Sequence, residues 1–162
     1  RNADMLELAR AAAPLVAERV GYGNVHFVEG AIEALDSPSP AGEPLVATAS
    51  VDVVLSNCVL NLVNPSARTA LLANIRRVLR PAGRVAISDI VCDRPVPIHL
   101  QQDPDLWSGC ISGAWEEDAF LADFRALGFE DVRYADRSEE PWKVVEGIEF
   151  RSVTLTGVLK AD

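Results

Sequence analysis

Apolar residues recur along this chain with two different periods, and the alternation between them predicts its elements. Over residues 3–20, Met5, Leu6, Leu8, Ala9, Ala12, Ala13, Leu15 and Val16 follow a helical stripe, with Asn2 placed to cap its start and Gly21 to end it. Residues 24–29 hold Val25, Phe27 and Val28 in a short strand-like run, and residues 30–35 turn into at most a short helix. Pro38, Pro40, Gly42 and Pro44 then rule out regular structure over residues 36–50, predicting a surface loop. The run Val51-Asp52-Val53-Val54-Leu55 reads as a parallel strand buried on both faces, and it changes abruptly to Ser56-Asn57-Cys58.

Beyond it, Leu71, Leu72, Ile75, Val78 and Leu79 fall at helical spacing over residues 65–80, with Arg76, Arg77 and Arg80 where cations suit the helix dipole. Pro81-Ala82-Gly83 predicts a turn, and residues 84–91 a second strand broken near its end by Ser88-Asp89. Strand, helix, turn and strand in that order make a βαβ crossover, so the two strands are expected to be parallel. After a proline-bearing loop from Cys92 to Asp105, small residues around Trp107 and Cys110 suggest close backbone packing under an aromatic cover. Residues 115–127 form an amphipathic helix stopped by Gly128, and residues 130–134 and 150–158 read as strands, the last with one better-covered face. The order is α-β-(α)-β-α-β-α-β-β and the fold class α/β.

Composition narrows the function. A length of 162 residues with 49% hydrophobic content suits one globular domain. A formal charge of −9 without a basic cluster argues against nucleic acid and anionic lipid as partners. No apolar run approaches the roughly 20 residues that span a bilayer, and the expected location is the cytoplasm. Cys58, Cys92 and Cys110 are odd in number and widely spaced, which suits free thiols better than a disulfide framework or a close-spaced zinc motif. In an open α/β sheet, ligands gather beyond the carboxyl ends of the strands, which draws attention to Ser56, Asn57 and Cys58. Cys58 at one strand end and Cys110 beyond the next can both reach that edge, and Cys92 lies a few residues past Asp89. Asp89, near the end of the second strand, could orient substrate or make a local backbone bond. His26, placed in a strand, and His99, placed in a loop, read as structural or solvated.

Four stretches, Ser56-Asn57-Cys58-Val59-Leu60-Asn61-Leu62, Arg77-Val78-Leu79-Arg80-Pro81-Ala82-Gly83, Ser88-Asp89, and Leu106-Trp107-Ser108-Gly109-Cys110-Ile111-Ser112-Gly113-Ala114, together resemble the arsenite methyltransferase family. The resemblance runs over nearly the whole chain. It implies a Rossmann-like, seven-stranded, S-adenosylmethionine-dependent methyltransferase sheet, here incomplete. The first strand with its glycine-rich loop and most of the second would precede Arg1, leaving residues 1–162 as the C-terminal two-thirds of a single methyltransferase domain. It also implies a gap between a strand at Val25 and the one at Val53, with unpaired edges. Ala82 stands where the family usually has glycine; the family's third thiol is expected upstream of Arg1, and residues 1–162 do not include the C-terminal extension that many members carry.

By the same resemblance, Cys58 and Cys110 hold trivalent arsenic, Asn57 faces the methionine part of S-adenosylmethionine, and Ile32 and Glu33 meet its adenine. The implied partners are trivalent arsenic or its thiol conjugate and a thiol reductant, and the implied role is arsenic detoxification. Arsenic(III) is thiophilic, so thiolates converging from separate segments are what its handling requires. Two other readings are a methyltransferase of a small organic molecule, indifferent to Cys58 and Cys110, and a non-catalytic thiol-bearing fragment.

Overall fold

The computed structural model describes residues 3–161. Helix α1 spans Ala3–Val20 and continues through Pro14; Gly21 ends it at a φ of 82°, its amide donating to the Ala17 carbonyl. The proposed Asn2 cap lies outside the described residues. No residue of α1 is buried, and Leu8, Leu15 and Val16 are exposed. The strand expected at residues 24–29 does not form. Val25 and Val28 are exposed in irregular chain, as is His26, because no neighbouring strand supplies backbone partners there. A single 3-10 turn, Ile32–Ala34, follows. Residues 36–50 carry only an isolated bridge between Pro38 and Pro44.

The sheet has six strands: β1 (Val51–Asn57), β2 (Leu79–Cys92), β3 (Trp115–Glu116), β4 (Phe129–Arg137), β5 (Lys143–Val145) and β6 (Ile148–Leu159). Its main path runs β1-β2-β6-β4, with β3 beside β2 and β5 beside β6. β1 and β2 are parallel, as the crossover through helix α2 (Arg68–Val78) predicts, whereas β6 is antiparallel to both β2 and β4. The turn expected at Pro81-Ala82-Gly83 lies inside the bounds of a strand rather than before it. β2 already begins at Leu79, opposite Val51, and the register slips between Val51 and Val53, so that Val53 faces Arg84 and residues 80–83 are left as an irregularity. Ala82 takes a φ of 61° there, a conformation glycine adopts freely and alanine does not.

Burial follows the period of two. Val85, Ile87 and Val91 point into the larger cluster with Leu71, Leu72 and Ile75 of α2 and with Phe120 and Phe124 of helix α5 (Glu117–Ala126). Ile90 and Cys92 point the other way, into a smaller cluster with Leu100, Cys110, Ile111 and Phe150. Two short helices, α3 (Ile98–Gln101) and α4 (Pro104–Ser108), lead the chain into that second cluster. The expectation that β1 is buried on both faces fails. β1 pairs only with β2, and Val53 and Leu55 are 39% and 75% exposed, because among the described residues nothing covers their side of the strand. Of the two edges expected to flank a gap between Val25 and Val53, only that of β1 exists, because no strand forms at Val25.

Candidate functional site

Cys58 is the first residue after β1. Its amide donates to the Ser88 carbonyl at 2.8 Å, which extends the β1–β2 ladder by one bond while its φ of 53° turns the chain away from the sheet. Cys110 follows α4 and repeats the device: its amide donates to the Trp107 carbonyl at 3.0 Å, and its φ is 60°. Both residues therefore occupy the left-handed region, which is uncommon for a side chain with a β-carbon and concentrates at functional sites. The two loops meet. The Cys58 and Cys110 sulfurs and a carboxylate oxygen of Asp89 all lie within 4.8 Å of one another, and the Cys110 thiol donates to the Cys58 carbonyl at 3.7 Å.

Asn61 ties these loops together. Its side-chain amide donates to the carbonyls of Ile90, at 2.7 Å, and Cys110, at 3.0 Å, while its backbone N–H donates to Asp89 Oδ2 at 3.2 Å. The carbonyl oxygen of Asn61 lies against Gly113, where a β-carbon would come within 1.9 Å of it. The small residues around Cys110 thus serve the close backbone packing that their size suggests. On the far side of Gly113, its carbonyl accepts from Arg68, whose guanidinium lies 3.8 Å from the centre of the Trp115 ring.

Asp89 is 2% exposed and sits inside this frame, with Oδ1 accepting from the Ile90 amide at 2.9 Å. Burial pushes its carboxyl above the usual range, and backbone donors from Ile90 and Asn61 pull it back. Cys110 is pushed up to about 11, first by burial and then by the charge of Asp89. Cys58, by contrast, is exposed to solvent, so the cluster has an open side.

Cys92 is not part of the cluster. It is the last residue of β2 rather than a loop thiol, buried, and its sulfur donates to the Trp115 carbonyl at 3.2 Å. Burial, aided by Asp93 and Glu116, raises it to about 12. Since the thiolate is the reactive form, iodoacetamide under native conditions is expected to label Cys58 rapidly and to reach Cys92 only after unfolding, as peptide mass mapping would read; early labelling of Cys92 would refute its burial.

Ile32 and Asn57 line one cleft of about 260 Å³ together with Val54, Leu60, Leu71 and Ile75. Glu33 is half-buried next to Ile32, but it is not among the lining residues; its backbone carbonyl accepts from the Asn74 side chain. His99 pairs with Glu146 at the surface, and Trp107 is half-buried one turn before Cys110. Sequence reasoning missed Asn61 as the tie between the loops; its signal was an amide within the apolar run Val59-Leu60-Asn61-Leu62-Val63. Asp89 has both the backbone bonds and the place beside the sulfurs.

A methyltransferase domain model matches residues 1–139. An arsenite methyltransferase of Halobacterium salinarum is 47% identical over 94 residues, covering 58% of this chain and 24% of that protein. One of Aquipseudomonas alcaligenes is 38% identical over 137 residues, covering 83% and 37%. The chain thus spans well under half the length of these curated relatives. The crystal structure of an arsenic(III) S-adenosylmethionine methyltransferase from Chlamydomonas reinhardtii superposes with a TM-score of 0.80 at 29% identity, covering 99% of this chain and 53% of that one. Among the described residues no helix is long and apolar enough to cross a membrane.

Proposed function

The chain belongs to the methyltransferase domain family, and on that premise we propose that it is the substrate-holding part of an S-adenosylmethionine-dependent methyltransferase whose substrate is trivalent arsenic bound by Cys58 and Cys110. The observation that carries this reading is the convergence of two thiols from separate loops, one of them solvent-accessible, at the carboxyl ends of β1 and β2. Soft ligands select soft centres, and a pair of thiols is a donor set that trivalent arsenic prefers over oxygen. Each thiol would replace one arsenic hydroxyl: two S–As bonds form, two As–O bonds break, and each thiol proton leaves with a hydroxyl as water.

The cleft beside Ile32 fits part of the cofactor. Its walls are aliphatic and suit the face of a heteroaromatic ring, while its volume is below the usual range for a complete ligand pocket. Ile32 would press on the adenine and Glu33 flank it, and Asn57, at the end of β1, would offer its amide to the methionine end. The bound cofactor supplies a methyl group on a sulfonium. The residues of this chain need provide no general base, because the arsenic lone pair is the nucleophile. Their contribution is to hold that lone pair in line, an effect of position worth several kcal/mol of barrier. Three free thiols and the thiol reductant that such chemistry needs fit a reducing cytoplasmic setting and a role in arsenic detoxification.

Titration of the reduced chain with arsenite, followed by tryptophan fluorescence, tests the reading. One arsenic per chain is expected, with a signal from Trp107; saturable binding that consumes neither Cys58 nor Cys110 thiol would remove arsenic as the substrate.

A further inference from the structure

The donors at this site are not two but three, and the third is of a different kind. We propose that Cys58, Cys110 and Asp89 also form a site for a thiophilic divalent cation, zinc or cadmium, which excludes trivalent arsenic while it is bound. The cation site rests on the cluster's geometry alone, whereas the competition rests on the arsenic reading above.

Two sulfurs and one carboxylate oxygen come from three separate segments and already lie within 4.8 Å of one another. Around a tetrahedral zinc, with Zn–S near 2.3 Å and Zn–O near 2.0–2.2 Å, such donors stand roughly 3.4–3.8 Å apart, so closure needs a shift of about an ångström. Cys58, on the open side, supplies that freedom. Asp89 is the opposite: backbone amides fix its carboxylate, the Ile90 N–H donating to Oδ1 and the Asn61 N–H to Oδ2. Solvent access beside Cys58 leaves the fourth position to water. On binding, two S–metal bonds and one O–metal bond replace bonds from the hydrated cation to water; the displaced waters and both thiol protons pass to solvent, and no redox change is involved.

The carboxylate distinguishes the two occupants. Zinc and cadmium accept mixed sulfur and oxygen ligands, so losing the oxygen charge weakens them directly. Trivalent arsenic is held through its bonds to sulfur and gains little from a carboxylate.

The test titrates cadmium into the reduced full chain, read by sulfur-to-metal charge-transfer absorption, with zinc-edge X-ray absorption reporting the ligands of the wild-type complex. One cation per chain with two sulfurs and oxygen in its shell is expected. Asp89→Asn is expected to weaken cadmium about tenfold or more and arsenite by less than about threefold, with circular dichroism confirming that the variant is folded. Where that variant fails to fold, Cys58→Ser at the exposed position decides instead: cadmium is expected to bind about tenfold or more weakly, and an unchanged titration overturns the proposal. A shell of sulfur without oxygen, or equal loss of both ligands in folded Asp89→Asn, overturns the proposal. Cadmium bound by a wild-type chain that ignores arsenite would sink the arsenic reading and leave the cation site standing.

Discussion

Replacing Cys110 by serine is expected to weaken arsenite binding by about a hundredfold or more, and replacing Cys58 by serine to do the same. The reason is that the second S–As bond is intramolecular. Once one thiol has taken arsenic, the other meets it at an effective concentration set by the loops, and these are held together by the Asn61 bonds to Ile90 and Cys110. Serine keeps the size of the side chain and replaces a soft donor by a hard one, so the loss reports ligation rather than packing. Cys92→Ser is the control, because its thiol bonds the Trp115 carbonyl outside the cluster. Fluorescence titration of the three variants reads all of this. Equal affinities in Cys58→Ser and wild type would remove Cys58 from the site.

Gly113→Ala is expected to cost about 3 kcal/mol of folding stability, lowering Tm by roughly 6–12 °C, and to abolish tight arsenite binding in whatever fraction remains folded. The new β-carbon would lie 1.9 Å from the Asn61 carbonyl oxygen, a backbone atom that cannot rotate away. The two loops must separate. Asn61 would then lose its grip on Cys110, and the sulfurs would part even though neither thiol is altered. Thermal unfolding by circular dichroism and arsenite titration measure the two effects separately. A variant with unchanged Tm would mean that the loops do not meet as described.

The sequence made much of this legible. The helical stripes of α1, α2 and α5 and the β-branched runs of β1 and β2 are written in local periodicity, and the parallel pairing follows from the crossover. Convergence of Cys58 and Cys110 followed from strand ends and from the motifs around them. What failed is what depends on neighbours. Val25, Phe27 and Val28 have the composition of a strand, yet strand formation needs a partner ladder and none is offered. Val53 and Leu55 look like doubly buried positions, but the far side of β1 is open. Asn61 is a single amide whose partners are 29 and 49 residues away, a distance at which spacing says nothing. Close backbone packing around Cys110 was legible because smallness alone carries the message, and it is realised at Gly113.

The left-handed backbone at Cys58 and Cys110 has a consequence for how such a chain can change. At those two positions glycine would relieve a conformational cost of about 1–2 kcal/mol each, and nothing in the surrounding core needs a sulfur at the exposed position 58. A drift toward greater stability would therefore tend to erase the thiol at 58 first, whereas Cys110 also fills space in the second cluster and is held there by packing. Thermostability and thiol chemistry pull in opposite directions at Cys58, so directed selection for heat resistance alone would be a route to losing the site.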